Sequence, residues 1–159
     1  MLAAYTHRRA GLYPARRDEY TGADVLERLD AAADVTVELY LQASADRQRV
    51  RAGFARLFRS CDVLITPVGA GPPLVIGEET VMHAGRELTF RELVMTYTTP
   101  QDLTGLPACA LRAGFDALGI PVGVQFTAPQ WHESAVLRAA HGFYEATPDV
   151  QSRRPMLRA

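Results

Sequence analysis

The sequence predicts an α/β domain, a mixed β-sheet flanked by helices, and three observations carry that prediction. Two runs, residues 108–112 and 122–126, alternate in polarity as half-buried strands do, and a short connection bracketed by Gly114 and Gly119 joins them. A third apolar run, "CDVLITP", stops at Pro67 and is too brief and too β-branched for a helix. Around these runs, apolar residues recur at helical spacing in longer segments, so helices should cover the sheet.

Taken in order, "TGADVLERLDAAAD" opens with Thr21 as an expected N-cap, and Val25, Leu26, Leu29, Ala32 and Ala33 repeat at helical spacing. A second helix starts near Thr36 and should bury Val37, Tyr40, Leu41, Val50, Phe54, Leu57 and Phe58. Its other face carries Asp46, Arg47, Arg49, Arg51 and Arg56, read as solvated. After "CDVLITP", the residues Gly69, Gly71, Pro72, Pro73 and Gly77 exclude regular structure, which predicts a long lid or binding loop. Within it, "TVMHAGREL" can close as a small hairpin over Ala84 and Gly85. Thr89 then caps a helix that Pro100 is expected to break.

Pro107 and Pro121 stand at the starts of the two alternating runs, where a strand tolerates a missing amide donor. In the second run Val122, Val124 and Phe126 face one way, Gly123 and Gln125 the other. A glycine inside a central strand marks close approach of another element, so the Gly123 side should be tightly covered. Beyond a turn at Pro129, a last helix should bury Val136, Leu137, Ala140, Phe143 and Tyr144, and the tail from about residue 149 shows no pattern.

Composition narrows the function classes. The 159 residues, 48% hydrophobic and 22% charged, suffice for one domain spanning 1–159. A net charge of −1 supplies no basic field, so neither nucleic acid nor an acidic membrane surface is an expected partner. No run approaches the roughly 18 apolar residues of a membrane span, and arginines interrupt the N-terminus before any signal-like stretch, so the expected location is the cytoplasm. Cys61 and Cys109 lack metal-ligand spacing and read as two buried thiols; no metal site is expected. The glycines of the strand region fit neither GxGxxG nor P-loop spacing, and no cofactor is expected. All 17 basic residues are arginine, so no lysine base is available from this chain.

The ordered motifs "CDVLITPV", "YTTPQDLTGLPACALRAGFDALGIPVGVQF" and "HESAVLRAAHGFYE" resemble the C-terminal portion of amidase-signature hydrolases. The resemblance runs from about residue 11 to 145. It implies that the chain is the C-terminal segment of that fold, a partial amidase domain whose strands belong to a large mixed sheet. It also implies hydrolysis of a C–N amide bond in the intact enzyme, by a serine nucleophile, a second serine in a cis peptide bond and a lysine base, all upstream of the segment represented here. Asp102 stands where the family usually has asparagine, which exchanges a donor and acceptor for an acceptor alone. Glutamine-using members tend to carry an acidic residue shortly before that motif; "LVMTYTT" is neutral, which points to a general amidase.

No catalytic residue is therefore expected in this chain. Its serines, Ser44, Ser60, Ser134 and Ser152, lie outside any glycine-rich setting. Asp62 and Asp102 read as turn or cap residues. The expected substrate-pocket wall is Thr66, Pro67, Val68 and Gly69, continuing along the 68–74 loop, because a strand end followed by an irregular loop is where sites are commonly built. The expected partners are an upstream catalytic portion of an amidase or further copies of the chain, with a small-molecule amide as substrate. The alternative is a noncatalytic module that binds a partner through the face the catalytic portion would cover.

Overall fold

The computed structural model describes residues 10–32 and 35–154. In chain order the helices are α1 (Ala23–Ala31), α2 (Val37–Leu57), α3 (Phe90–Met95), α4 (Thr99–Thr104), α5 (Glu133–Ala146) and α6 (Pro148–Ser152). The strands are β1 (Leu64–Pro67), β2 (Thr80–His83), β3 (Arg86–Thr89), β4 (Ala108–Phe115) and β5 (Pro121–Thr127). The chain divides into two compact units, Met1–Arg49 and Val50–Ala159, and the division falls inside α2.

In the first unit Tyr13 is buried, and its hydroxyl donates to Asp30, which Arg17 also reaches at 3.2 Å. Helix α1 starts on Gly22, whose carbonyl accepts from the Val25 and Leu26 amides at 3.1 and 3.0 Å, and no side chain caps it. Thr21 is not the cap, because it sits one residue too early to reach the second and third amides of the first turn. Leu29 and Ala32 are buried as expected and Val25 is exposed; Ala33 lies outside the described residues. Helix α2 is capped by Thr36, whose Oγ1 accepts from the Leu39 amide at 3.2 Å. Its expected apolar face is only partly covered: Tyr40, Phe54 and Phe58 are half-buried, no residue of α2 is fully buried, and Val37, Leu41, Val50 and Leu57 are exposed.

In the second unit β5 is the centre of a three-stranded sheet of order β1–β5–β4. Both pairings are antiparallel, with Leu64 opposite Thr127 on one side and Cys109 opposite Phe126 on the other. The three runs read as strands thus share one sheet, and every pairing among the described residues is antiparallel, because a short turn joins β4 to β5 and β1 enters on the free side. The β4–β5 turn is closed by Asp116, whose Oδ1 accepts from the Leu118 and Ile120 amides at 2.9 and 2.8 Å. Gly119 supplies the left-handed residue of the turn, at φ 80°.

One face of this sheet holds the core. Phe126 and Ala128 are buried against Val136 and Ala140 of α5, with Leu111, Val124 and Phe143 packed around them and the Phe126 and Phe143 rings 5.6 Å apart. Fully burying a side chain the size of Phe126 or Val136 contributes about 1.5–3 kcal/mol. Leu137 and Tyr144 do not join the core; they are 60% and 47% exposed. The sheet covers only the stripe through Val136, Ala140 and Phe143, and Leu137 lies a quarter-turn round from it.

Two short helices differ from the sequence reading. Pro100 does not break the helix of Phe90; α3 already ends at Met95, and Pro100 sits in the first turn of α4. There its missing amide would be unpaired anyway. Residues expected to be an unpatterned tail form α6, where Gln151 is buried and exchanges bonds with β4: Arg112 Nη2 donates to the Gln151 carbonyl at 2.7 Å, and Gln151 Nε2 donates to the Arg112 carbonyl at 2.9 Å. The β2–β3 hairpin turns over Ala84 and Gly85, as the spacing predicts, with φ at 49° and 77°. No helix among the described residues is long and apolar enough to cross a membrane.

Candidate functional site

The opposite face of the sheet, where β1 runs into the 68–74 loop, encloses a cavity of about 530 Å³. Its position follows from Gly123. A β-carbon there would lie 2.8 Å from Val68 Cγ2, so only glycine lets the chain leaving β1 press against β5. The Val68 amide donates to the Gly123 carbonyl at 3.3 Å and the Ala70 amide to the Leu93 carbonyl at 2.8 Å, which fixes the loop between β5 and α3. Gly71 packs under His83, with Nδ1 3.1 Å from its β-carbon position.

Three of the four residues that the sequence singles out, Pro67, Val68 and Gly69, line this cavity. Thr66 does not. It stands opposite Gln125 in the register, and its Oγ1 accepts from Gln125 Nε2 at 3.3 Å. The remaining lining comes from the loop at 71–73, from Phe90, Leu93 and Val94 of α3, from Asp116 and from residues 120–123. The 90/93/94 spacing is a helical stripe, a signal present in the sequence, but nothing local ties it to the loop of β1.

Behind Thr66 lies a polar layer. Gln101, Thr104, Gln125 and Thr127 are all buried. Gln125 Nε2 also donates to the Tyr97 carbonyl at 3.0 Å. The Gln101 amide is satisfied with its nitrogen donating to the Tyr97 and Thr98 carbonyls at 2.6 and 3.2 Å and its oxygen accepting from Gln125 Nε2 at 3.0 Å and Thr127 Oγ1 at 3.2 Å. This network joins β1, β5 and the start of α4, and so holds the strand end from which the cavity wall departs.

The lining is apolar save for Asp116, whose carboxylate is engaged by the two turn amides. Such a surface suits carbon skeletons, and its one carboxylate is committed to the β4–β5 turn. No serine of this unit lines it: Ser60 Oγ donates to the Leu57 carbonyl at 2.8 Å, Ser152 Oγ to the Asp149 carbonyl at 3.4 Å, and Ser134 sits on α5. Cys61 and Cys109 are half-buried free thiols, not the fully buried pair expected. Among the described residues no group of three His, Cys, Asp or Glu side chains could hold a metal ion. The carboxylates held below their ordinary range owe it to local bonds: Asp30 to the Tyr13 hydroxyl and then Arg17, Glu38 to its own amide and Thr36, Glu92 to the Thr89 amide and hydroxyl.

Comparison with known proteins bears on this geometry. The family described as Amidase matches residues 3–137. One subunit of the glutamyl-tRNA(Gln) amidotransferase of Thiobacillus denitrificans is 32% identical over 149 residues, which cover 91% of this chain and 30% of that protein. A solved structure described as an amidase superposes with a TM-score of 0.76 at 31% identity, over 91% of this chain and 32% of that one. A chain from a structure described as "an unexpected vestigial protein complex" that "reveals the evolutionary origins of an s-triazine catabolic enzyme" gives a TM-score of 0.78 at 25% identity, over 95% of this chain and 32% of the other. The chain thus spans about a third of the length of the relatives it matches.

Proposed function

The chain belongs to the amidase family, and from that premise we propose that it serves as the C-terminal part of an amidase, furnishing sheet and pocket wall while an upstream polypeptide carries the chemistry. In that enzyme the serine nucleophile, the second serine and the lysine base come from the upstream portion, and the C–N bond of a small-molecule amide is hydrolysed there. The observation that carries this reading is the chain's lack of any lysine. Arginine is no substitute, since its guanidinium stays protonated at any ordinary pH and cannot accept the serine proton.

In this reading Pro67, Val68 and Gly69 form part of the substrate-pocket wall, and Thr66 anchors them through Gln125. The apolar lining favours an apolar acyl or aryl group over one with a free ammonium, whose burial without a partner is costly. Phe90 and Val122, which line the cavity, are exposed, and they would be covered by the upstream portion. Affinity capture tests the assignment. The tagged chain, co-expressed with a polypeptide corresponding to the first two thirds of a family member, should retain it, and Phe90→Asp with Val122→Asp should release it. Failure to retain any such polypeptide would overturn the reading.

A second reading is a noncatalytic module that binds an unrelated partner through the same face, and the similarity to a chain of a vestigial complex favours keeping it. A neighbouring reading frame encoding a lysine within a glycine- and serine-rich segment supports the first reading; an unrelated neighbour supports the second.

A further inference from the structure

A second cavity in the Val50–Ala159 unit, of about 330 Å³, is lined by Arg51, Phe58, Thr104, Leu106, Gln130 and Trp131, among others. Its one charged group is Arg51, which the periodicity of α2 assigns to a solvated face. Arg51 instead donates from Nη2 to Gln130 Oε1 at 2.9 Å. Gln130 is itself fixed, since its Nε2 donates to the Thr104 carbonyl at 2.8 Å and a β-carbon on Gly105 would lie 3.2 Å from that nitrogen. Both ends of the Gln130 amide are thereby committed, and the guanidinium is aimed from a fixed point. Among the described residues Arg51 makes this one hydrogen bond and pairs with no carboxylate. Most of its five N–H donors therefore remain for a ligand.

The cavity's aromatic wall is unusual in its backbone. Trp131 adopts φ 67°, a left-handed conformation that a bulky residue rarely takes, and its side chain is 88% exposed. A strained aromatic standing in solvent beside a guanidinium with no carboxylate partner is a pairing that a ligand with a flat apolar body and a negative end would satisfy on both counts. We infer that this cavity binds a small aromatic carboxylate, its carboxylate on Arg51 and its ring against Phe58 and Trp131. The volume suits a one-ring acid, being near the lower end of small-molecule sites. The inference does not depend on the cavity at Gly123 or on any upstream polypeptide.

Trp131 is the chain's single tryptophan, so its emission reports on this cavity in the protein as it stands. Titrating the full chain with benzoate should quench or shift that emission saturably. Benzamide, which has the ring without the charge, should bind more weakly by on the order of tenfold or more. Inorganic phosphate, which has the charge without the ring, should give no saturable change. Arg51→Gln, folded by circular dichroism, should lose benzoate affinity to the level of benzamide; if that variant does not fold, the benzoate–benzamide difference on the unaltered chain decides alone. An emission insensitive to benzoate overturns the inference, as does equal binding of benzoate and benzamide, or phosphate acting as well as benzoate. Emission already blue-shifted and unresponsive, as when another polypeptide covers Trp131, overturns it too.

Discussion

A β-carbon at Gly123 would stand 2.8 Å from Val68 Cγ2, and this contact sets both the packing of the sheet and the position of the cavity wall. Gly123→Ala should therefore destabilise the fold by about 1–3 kcal/mol, read by urea unfolding. In a Val68→Ala background most of that loss should disappear, because the clashing methyl is gone. Equal losses in both backgrounds would show that the close approach is not the cause. The glycine's meaning was legible in the sequence, since a strand interior gives few other reasons for it, but its neighbour was not: Val68 is far off along the chain, and only the β1–β5 register brings it near. Gln101 and Gln125 were illegible as partners for the same reason, each being an ordinary polar residue until Tyr97, Thr66 and Thr127 are placed around it. Arg51 illustrates the opposite failure, where helical periodicity assigned a solvated face correctly in general and missed the one arginine that the turn at Gln130 captures.

At the level of elements, the strands and their grouping were readable because alternation and a short turn leave few topologies, whereas helix ends depended on atoms that periodicity does not encode. The cap on Thr89 is the exception. Glu92 Oε2 accepts from the Thr89 amide at 2.9 Å while Thr89 Oγ1 accepts from the Glu92 amide at 3.2 Å, a reciprocal box that also joins the β2–β3 hairpin to α3. Thr89→Ala should cost about 0.5–2 kcal/mol, seen as faster hydrogen exchange in 90–95. The box also predicts a pH dependence. The Thr89 amide and hydroxyl favour the ionised Glu92 and hold its pKa below the ordinary value. Its stabilisation is complete above the ordinary carboxylate range and is lost as pH falls through the lowered folded value. Following the Thr89 amide resonance downward from neutral pH should show a transition below that of an unstructured glutamate; a transition at the ordinary value would contradict the box.

For the whole molecule, the second unit buries its core between the sheet and α5 and leaves apolar side chains at the sheet edge and beside the Gly123 cavity that nothing among the described residues of that unit covers. Ile65 of the edge strand β1, on the same face as its partner Phe126, is 60% exposed, and Phe90, Leu118 and Val122 are exposed as well. The isolated chain should self-associate or unfold at modest temperature, and Ile65→Lys should shift it towards monomer in sedimentation; a monodisperse, thermally robust monomer without substitution would instead describe an autonomous module. The family and its α/β class were legible in three ordered motifs, while the uncovered faces were not, because a sequence shows which residues are apolar but not which of them find a neighbour. The central claim, that this chain contributes structure and pocket wall to an amidase whose chemistry lies upstream, is tested most directly by amide hydrolysis. The purified chain alone should turn over no aryl, aliphatic or peptide amide, and adding an upstream polypeptide that bears the lysine and both serines should restore hydrolysis. Turnover by the chain alone that persists after Cys61→Ala and Cys109→Ala would contradict it.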